Sequence, residues 1–141
     1  MSSFFKKHIF KFICEKIMKH ISKFLKHKNG RCSYACLEIE SIESDEESIV
    51  WSDIPYVDFY KKEYGEYIDK GILYAYDKHI KNGGEKASFK IINLVETASD
   101  TDNGAVKCAA VSATWQALGH SEKEIEFIYN DIWDAVINSE L

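Results

Sequence analysis

The chain has 141 residues, enough for one folded domain with its own core but not for two. Its 45% hydrophobic and 13% aromatic content excludes a disordered chain. Residues 1–31 hold nine basic residues and one acid, whereas residues 32–141 hold nine basic residues and 22 acids. We therefore predict a basic segment, residues 1–31, followed by an acidic domain, residues 32–141, whose negative field repels phosphate backbones.

Residues 8–25 carry apolar and basic side chains at a period near that of a helix, which predicts an amphipathic helix. Three hypotheses remain open: the helix packs on the domain or a copy of itself, lies on an anionic membrane surface, or directs the chain to an organelle. The side chains that would face a membrane or RNA are Lys11, Lys16, Lys19, Lys23, Ile13, Ile17 and Ile21. Asn29 and Gly30 are expected to end this helix and begin a linker.

Alternating side chains in residues 34–42 predict a half-buried strand, and residues 48–52 predict a short second strand that forms a hairpin with it. A long tyrosine-rich helix is expected after Pro55, with most tyrosine rings at the rim of the core. Residues 86–96 predict a central strand that is apolar on both faces. In this strand we expect Val95 to share a face with Phe89 and Ile91, and Leu94 to lie on the other.

The stretch "SDTDNGAVKCAAVSATWQALG" predicts a helix of small residues that packs unusually close to its neighbours. Asp100 and Asp102 precede it, and the spacing that follows them does not fit a calcium-binding loop. A capping role at the helix N-terminus, by Asp100, Asp102 or Asn103, is therefore favoured over a catalytic one. Ser121 and Glu124 have the spacing of a capping box and predict a last helix over residues 122–138.

These elements predict an α+β domain, in which helices cover a small, mostly antiparallel sheet and an extra amphipathic helix precedes it. We find no phosphate-binding loop, nucleophile elbow or metalloprotease motif, and the five histidines are scattered. Cys32 and Cys36, with His27 nearby, have a wider spacing than the usual zinc knuckle and lack its second pair of ligands, so reduced cysteines in a cytoplasmic protein are favoured. We predict no catalytic residue, metal, cofactor or small-molecule substrate.

Residues 33–118 resemble domain IV of translation elongation factor G. The resemblance is carried by "YACLEIESIE", by "SDIPYVDFYKKEYGEYIDKGILYAY" and by "SDTDNGAVKCAAVSA", in that order. It implies the left-handed β-α-β fold shared with domain 2 of ribosomal protein S5, with the small-residue helix on the sheet. In that family the domain enters the decoding site of the ribosome through two loop tips, whose places here fall at "KNGRCS" and near Thr97.

The excess of acids in residues 32–141 suggests a non-enzymatic, cytoplasmic binding protein that engages a basic protein partner, as an immunity protein engages a toxin. The alternatives are a ribosome- or RNA-associated factor resembling domain IV, and a membrane-surface protein anchored by residues 8–25. The acids expected to contact a basic partner are Glu43, Asp45, Glu46, Glu47, Glu96, Asp100 and Asp102.

Overall fold

The computed structural model describes residues 17–138, which fold into a four-stranded sheet, two helices and a separate hairpin. In chain order the elements are β1 Ile17–Lys28, β2 Arg31–Glu43, β3 Ile49–Trp51, α1 Val57–Lys81, β4 Ala87–Val95, α2 Asn103–Ala117, β5 Ile125–Asn130 and β6 Ile132–Ile137. The sheet order is β1-β2-β4-β3, and only the β3–β4 pair is parallel. The predicted α+β class, with a mostly antiparallel sheet and covering helices, is confirmed.

The helix predicted over residues 8–25 is wrong where the structure describes it, because residues 17–28 form strand β1. Ile17, Ile21 and Leu25 recur every four residues, a spacing that keeps side chains on one side of a strand as well as of a helix. Asn29 (φ 54°) and Gly30 (φ 76°) form the two-residue turn into β2 rather than a helix end. Residues 8–16 of the predicted helix, with Lys11, Ile13 and Lys16, lie outside the described residues.

The predicted division of the chain between residues 31 and 32 falls after the first residue of β2, next to the turn that joins β1 to β2. β1 pairs with β2 from Ile17 opposite Ile42 to Lys28 opposite Arg31. Ser22 and Phe24 are buried on the same face of the sheet as Ala35 and Leu37 of β2. The described part of the basic segment therefore shares both the sheet and the core of the acidic one.

The strands predicted at residues 34–42 and 48–52 are confirmed as β2 and β3, but the hairpin between them is wrong. β4 lies between β2 and β3 in the sheet, with Ile39 of β2 and Trp51 of β3 both opposite Ile91. The predicted central position of β4 is confirmed. β3 and β4 run parallel, and α1 is the crossover helix that connects them.

A β-bulge in β4 reverses which side chains face the helices. Glu38 pairs with Asn93 and Ile39 pairs with Ile91, so Ile92 is the extra residue. Beyond the bulge Leu94 is buried and Val95 is 44% exposed. The expectation that Val95 shares a face with Phe89 is therefore wrong, because a strict alternation of faces ends at the bulge.

Helix α2 is confirmed as a tightly packed helix of small residues, buried on every side. It packs against β1 and β2, α1 and β6. A Cβ atom at Gly71 of α1 would lie 2.7 Å from Ala110 Cβ, and one at Gly104 of α2 would lie 2.7 Å from the Trp133 carbonyl oxygen. The absent side chains thus allow α1 and the β5–β6 hairpin to approach α2 closely.

The predicted C-terminal helix over residues 122–138 is wrong. Ser121 and Glu124 do form the predicted capping box, but it caps a single 3₁₀ turn, Glu122–Glu124. The chain then forms the β5–β6 hairpin, which reverses at Asp131 with φ 63°. Asp131 is a residue type that accepts this left-handed conformation more readily than most.

Candidate functional site

The seven acids expected to bind a basic partner lie at opposite ends of the sheet. Residues 43–47, here called the acidic loop, follow the end of β2, where Glu43 is opposite Ala87, the first residue of β4. Glu96 comes directly after the last residue of β4, which has nine residues. At about 3.3 Å per residue, roughly 25 Å separate the two groups. The structure does not bring the seven carboxylates into one site.

The acidic loop is held by its backbone while most of its carboxylates face outward. The Ser44 amide donates to the Lys86 carbonyl at 3.0 Å, and the Glu46 amide donates to Ser44 Oγ at 3.1 Å. Glu43, Asp45, Glu46 and Glu47 are all exposed. The exposed carboxylates lie on a fixed backbone turn at one end of the molecule.

Tyr76 connects this loop to the core. Its hydroxyl donates to Glu47 Oε2 at 2.6 Å and accepts from the Ala87 amide at 3.0 Å. Burial, followed by the hydrogen bond to Glu47, raises the pKa of Tyr76. Glu47 therefore has a structural partner within the molecule, in addition to any role at the surface.

At the other end of the sheet, Glu96 and Asp102 hold local structure together. The Tyr64 hydroxyl donates to Glu96 Oε2 at 2.6 Å, and burial together with this bond raises the pKa of Tyr64. Asp102 Oδ1 accepts from the Ala105 amide at 2.8 Å, and its Oδ2 accepts from Ser33 Oγ at 3.0 Å. The predicted cap of α2 is thereby confirmed at Asp102.

Asp100 lies between them in a loop that packs on the start of β2. Its carbonyl accepts from the Tyr34 amide at 2.9 Å, and Thr101 Oγ1 donates to the Tyr34 carbonyl at 2.7 Å. These bonds, together with the one from Ser33 to Asp102, hold the loop of residues 97–102 against the first residues of β2. This loop and residues 28–33 are therefore neighbours in space.

A basic surface surrounds the β1–β2 turn. We call the exposed side chains of Lys26, His27, Lys28 and Arg31 the basic tip. The Lys26 ammonium lies 5.5 Å from the centre of the Phe127 ring, and that of Lys28 lies 5.8 Å from the centre of Tyr129. Both contacts leave the charges at the surface while directing the lysine stems along the hairpin.

Sequence reasoning missed a histidine pair. His79 Nδ1 lies 2.8 Å from His120 Nε2, and His79 Nε2 lies 3.1 Å from the Glu85 carbonyl oxygen. Since a carbonyl only accepts, His79 Nε2 carries a hydrogen, and Nδ1 of the neutral ring then accepts from His120. Burial is the main cause that lowers the pKa of both imidazoles. The two histidines are 41 positions apart, and no local spacing indicates that they meet.

Cys36 and Cys108 do not have the surroundings of a reactive thiol. Cys108 is fully buried in α2, and burial raises its pKa strongly. Burial is also the main cause that raises the pKa of Cys36. A nucleophilic cysteine needs a lowered pKa and access to solvent. Within residues 17–138, no group of three or more His, Cys, Asp or Glu side chains is placed to hold a metal ion.

Comparison with known proteins gives a likeness in fold. No known family profile matches this chain, and no curated protein matches it. A crystal structure of a protein from Thermus thermophilus is similar to it, with a TM-score of 0.62 and 21% sequence identity. The match covers 72% of this chain but 15% of that protein, so this chain spans a small part of its length. In the part of the chain that is described, neither helix is long and apolar enough to cross a membrane.

Proposed function

We propose that this chain is a non-enzymatic binding protein that engages a basic protein partner through its acidic loop. The observation that carries the proposal is the cluster of exposed carboxylates at residues 43–47 on a turn that is fixed by backbone hydrogen bonds. Preformed charge of one sign raises the association rate with a partner of opposite sign and fixes its orientation. Glu96 and Asp102 are assigned structural roles in this proposal.

Charge reversal in the acidic loop tests the proposal. Glu43→Lys with Glu46→Lys changes two exposed side chains and leaves Glu47, which bonds to Tyr76, in place. The full chain is immobilised, and basic proteins are captured at low and at high salt. We expect the double variant to lose capture by about tenfold, because two attractive charges become repulsive.

Asp53→Lys with Glu63→Lys provides the matched control, since both residues are exposed acids outside the acidic loop. It should capture the same proteins as the unchanged chain. The proposal is rejected if no basic protein is captured, or if reversing the charges of the acidic loop leaves capture unchanged.

The second candidate function is association with the ribosome or RNA, in keeping with the resemblance to domain IV of elongation factor G. The order of three strands, helix, strand and helix supports it, as does the parallel β3–α1–β4 connection. The basic tip also supports it, since it carries four exposed basic or imidazole side chains beside the loop of residues 97–102. Lysine and arginine at such a tip would contact phosphates.

Co-sedimentation with ribosomes at increasing salt tests this second candidate. Lys28→Glu with Arg31→Glu should abolish sedimentation with ribosomes at low salt, whereas Lys61→Glu with Lys62→Glu on α1 should not. Binding that survives reversal of the basic tip would contradict the assignment. For the third hypothesis, a membrane-surface protein anchored by residues 8–25, Ile17 and Ile21 lie on strand β1 and not on a helix, and residues 8–16 lie outside the described residues.

A further inference from the structure

Within the described residues, strand β1 ends the sheet and one of its backbone edges is unpaired. It is the first strand in the order β1-β2-β4-β3, and β2 occupies its other edge. Within residues 17–138 no backbone hydrogen bond reaches the outer edge of β1. A strand of 12 residues with an unpaired edge can accept a further strand.

A groove of about 230 Å³ runs along this edge. One wall is residues 20–26, and the other is formed by Ser112 and Gln116 of α2 with Glu122 and Phe127. Successive side chains of a strand point to opposite faces of the sheet. A groove on one face would be lined by every second residue, whereas this groove is lined by seven consecutive residues. The groove therefore lies along the backbone edge of β1. Phe127 closes one end, where its ring lies 5.2 Å from that of Phe24. Residues 20–23 therefore line the part of the groove away from Phe127, and residues 17–19 continue the strand beyond it.

The floor of the groove is polar. Ser22 Oγ donates to Ser112 Oγ at 2.9 Å, and Gln116 Nε2 donates to the same oxygen at 2.9 Å. Short polar side chains, such as serine or threonine, are the kind that could enter from an added strand and extend this network. On the other face of β1, Lys19 and Lys23 alternate with Ile17 (57% exposed) and Ile21 (59% exposed). Glutamate and aliphatic side chains complement that face.

The charges near the edge of β1 indicate which kind of segment could pair with it. Residues 17–23 of β1 carry two lysines, one histidine and no acid, while Glu40 of β2 lies opposite Lys19 and Glu122 lines the groove. Residues 1–16 carry four lysines and one acid, so they have the same sign, and pairing β1 with a second copy would bring lysines together. An acidic strand is the occupant that the charges favour.

We infer that residues 17–23 of β1 bind an extended acidic segment of another protein, which adds to the sheet as a fifth strand. Main-chain hydrogen bonds supply affinity, and the alternating lysines and isoleucines supply specificity. The site begins beside the acidic loop, because Ile17 is opposite Ile42 and Glu43 follows Ile42. Its proposed ligand is acidic, whereas the proposed partner of the acidic loop is basic. RNA would contact the lysines but would use neither the backbone edge nor the exposed isoleucines.

Titration of the full chain with a blocked peptide, Thr-Glu-Thr-Val-Thr-Glu-Thr, followed by amide NMR, tests the inference. We expect saturable changes in amide chemical shift centred on residues 17–23, and slower exchange of the amide hydrogens of these residues with solvent. A peptide with lysine in place of glutamate should not bind. The same acidic peptide with N-methyl groups on alternate amides should bind at least about tenfold more weakly, since it loses edge hydrogen bonds without losing charge.

Two variants complete the experiment. Lys19→Gln with Lys23→Gln should weaken peptide binding about fivefold, whereas Lys61→Gln with Lys62→Gln on α1 should leave it unchanged. The inference is overturned if the acidic peptide does not bind, if N-methylation has no effect, or if the shifts lie elsewhere. It is also overturned if only an oligouridylate shifts residues 17–23, or if sedimentation shows a dimer that buries them.

Discussion

Gly71 and Gly65 are both in α1 but have different surroundings. A Cβ atom at Gly71 would lie 2.8 Å from the Lys107 carbonyl oxygen, whereas one at Gly65 would contact only Lys61 Cβ at 4.0 Å. We expect Gly71→Ala to lower the free energy of unfolding by about 1–3 kcal/mol, because α1 and α2 must separate. Gly65→Ala, the control, should raise it by about 0.5–1 kcal/mol, since alanine favours helix. Urea denaturation measures both, and equal effects would contradict the close packing.

The His79–His120 pair should make stability depend on pH just below neutrality. The pKa of each imidazole is lowered in the folded protein, so the unfolded chain binds more protons once the pH falls below the ordinary value near 6.5. The stability that the neutral pair provides is therefore complete above about pH 6.5. It is lost as the pH falls from there through the lowered pKa values of the two imidazoles.

Urea midpoints on either side of the ordinary histidine pKa, about one pH unit above it and one below, check this expectation. The midpoint should fall on acidification, and His120→Gln should reduce that fall, because one titrating group of the pair is removed. His27→Gln provides the control, since His27 is exposed at the β1–β2 turn. An unchanged midpoint between the two pH values would show that the pair is not held neutral.

The residues that sequence reasoning identified correctly act over short distances. Asp102 caps α2 through an amide three residues away, and Ser121 and Glu124 form their capping box over the same separation. Side-chain bonds of this kind depend on the local chain, so their spacing predicts them. His79 and His120 meet only because α1 and the segment after α2 are packed together, and a local sequence pattern does not predict that packing.

At the scale of elements, the predicted helix and the observed strand β1 differ in which side chains they bury. Phe24 is 3% exposed and Ile21 is 59% exposed, although both would face the core in the predicted amphipathic helix. Phe24→Ala should lower the free energy of unfolding by about 3 kcal/mol, and Ile21→Ala should change it by less than about 0.5 kcal/mol. Comparable losses from both in urea denaturation would favour the helix.

The two elements predicted wrongly share a cause. In β1 the spacing of four residues suits either structure, and in residues 125–137 apolar residues are frequent enough to fit a helical stripe as well as two strands. The chain turns at Asn29–Gly30 and at Asp131, and residues that favour such tight turns were the sequence signals that could have distinguished a hairpin from a helix. β2, α1, β4 and α2 carried less ambiguous patterns, and their existence was predicted correctly.

At the scale of the whole molecule, β1 joins the basic segment to the acidic domain. We expect the described chain to unfold in one transition, because Phe24 of β1 contacts Phe127 and Trp133 of the hairpin that packs on α2. Far-UV circular dichroism and tryptophan fluorescence should give the same midpoint, and Phe24→Ala should lower both together. Two separated transitions would indicate that β1 and its neighbours form an independent unit.

The sequence by itself determined the α+β class, the positions of the central strands, the close-packed small-residue helix and its capping aspartate. These depend on composition, alternation and contacts between residues a few positions apart. Only the tertiary structure decided that the candidate acids divide between two ends of the sheet, that His79 meets His120, and that β1 is the end strand of the described sheet. Each of these depends on which strands pair and which helices pack together, and that choice is made by contacts between residues far apart in the chain.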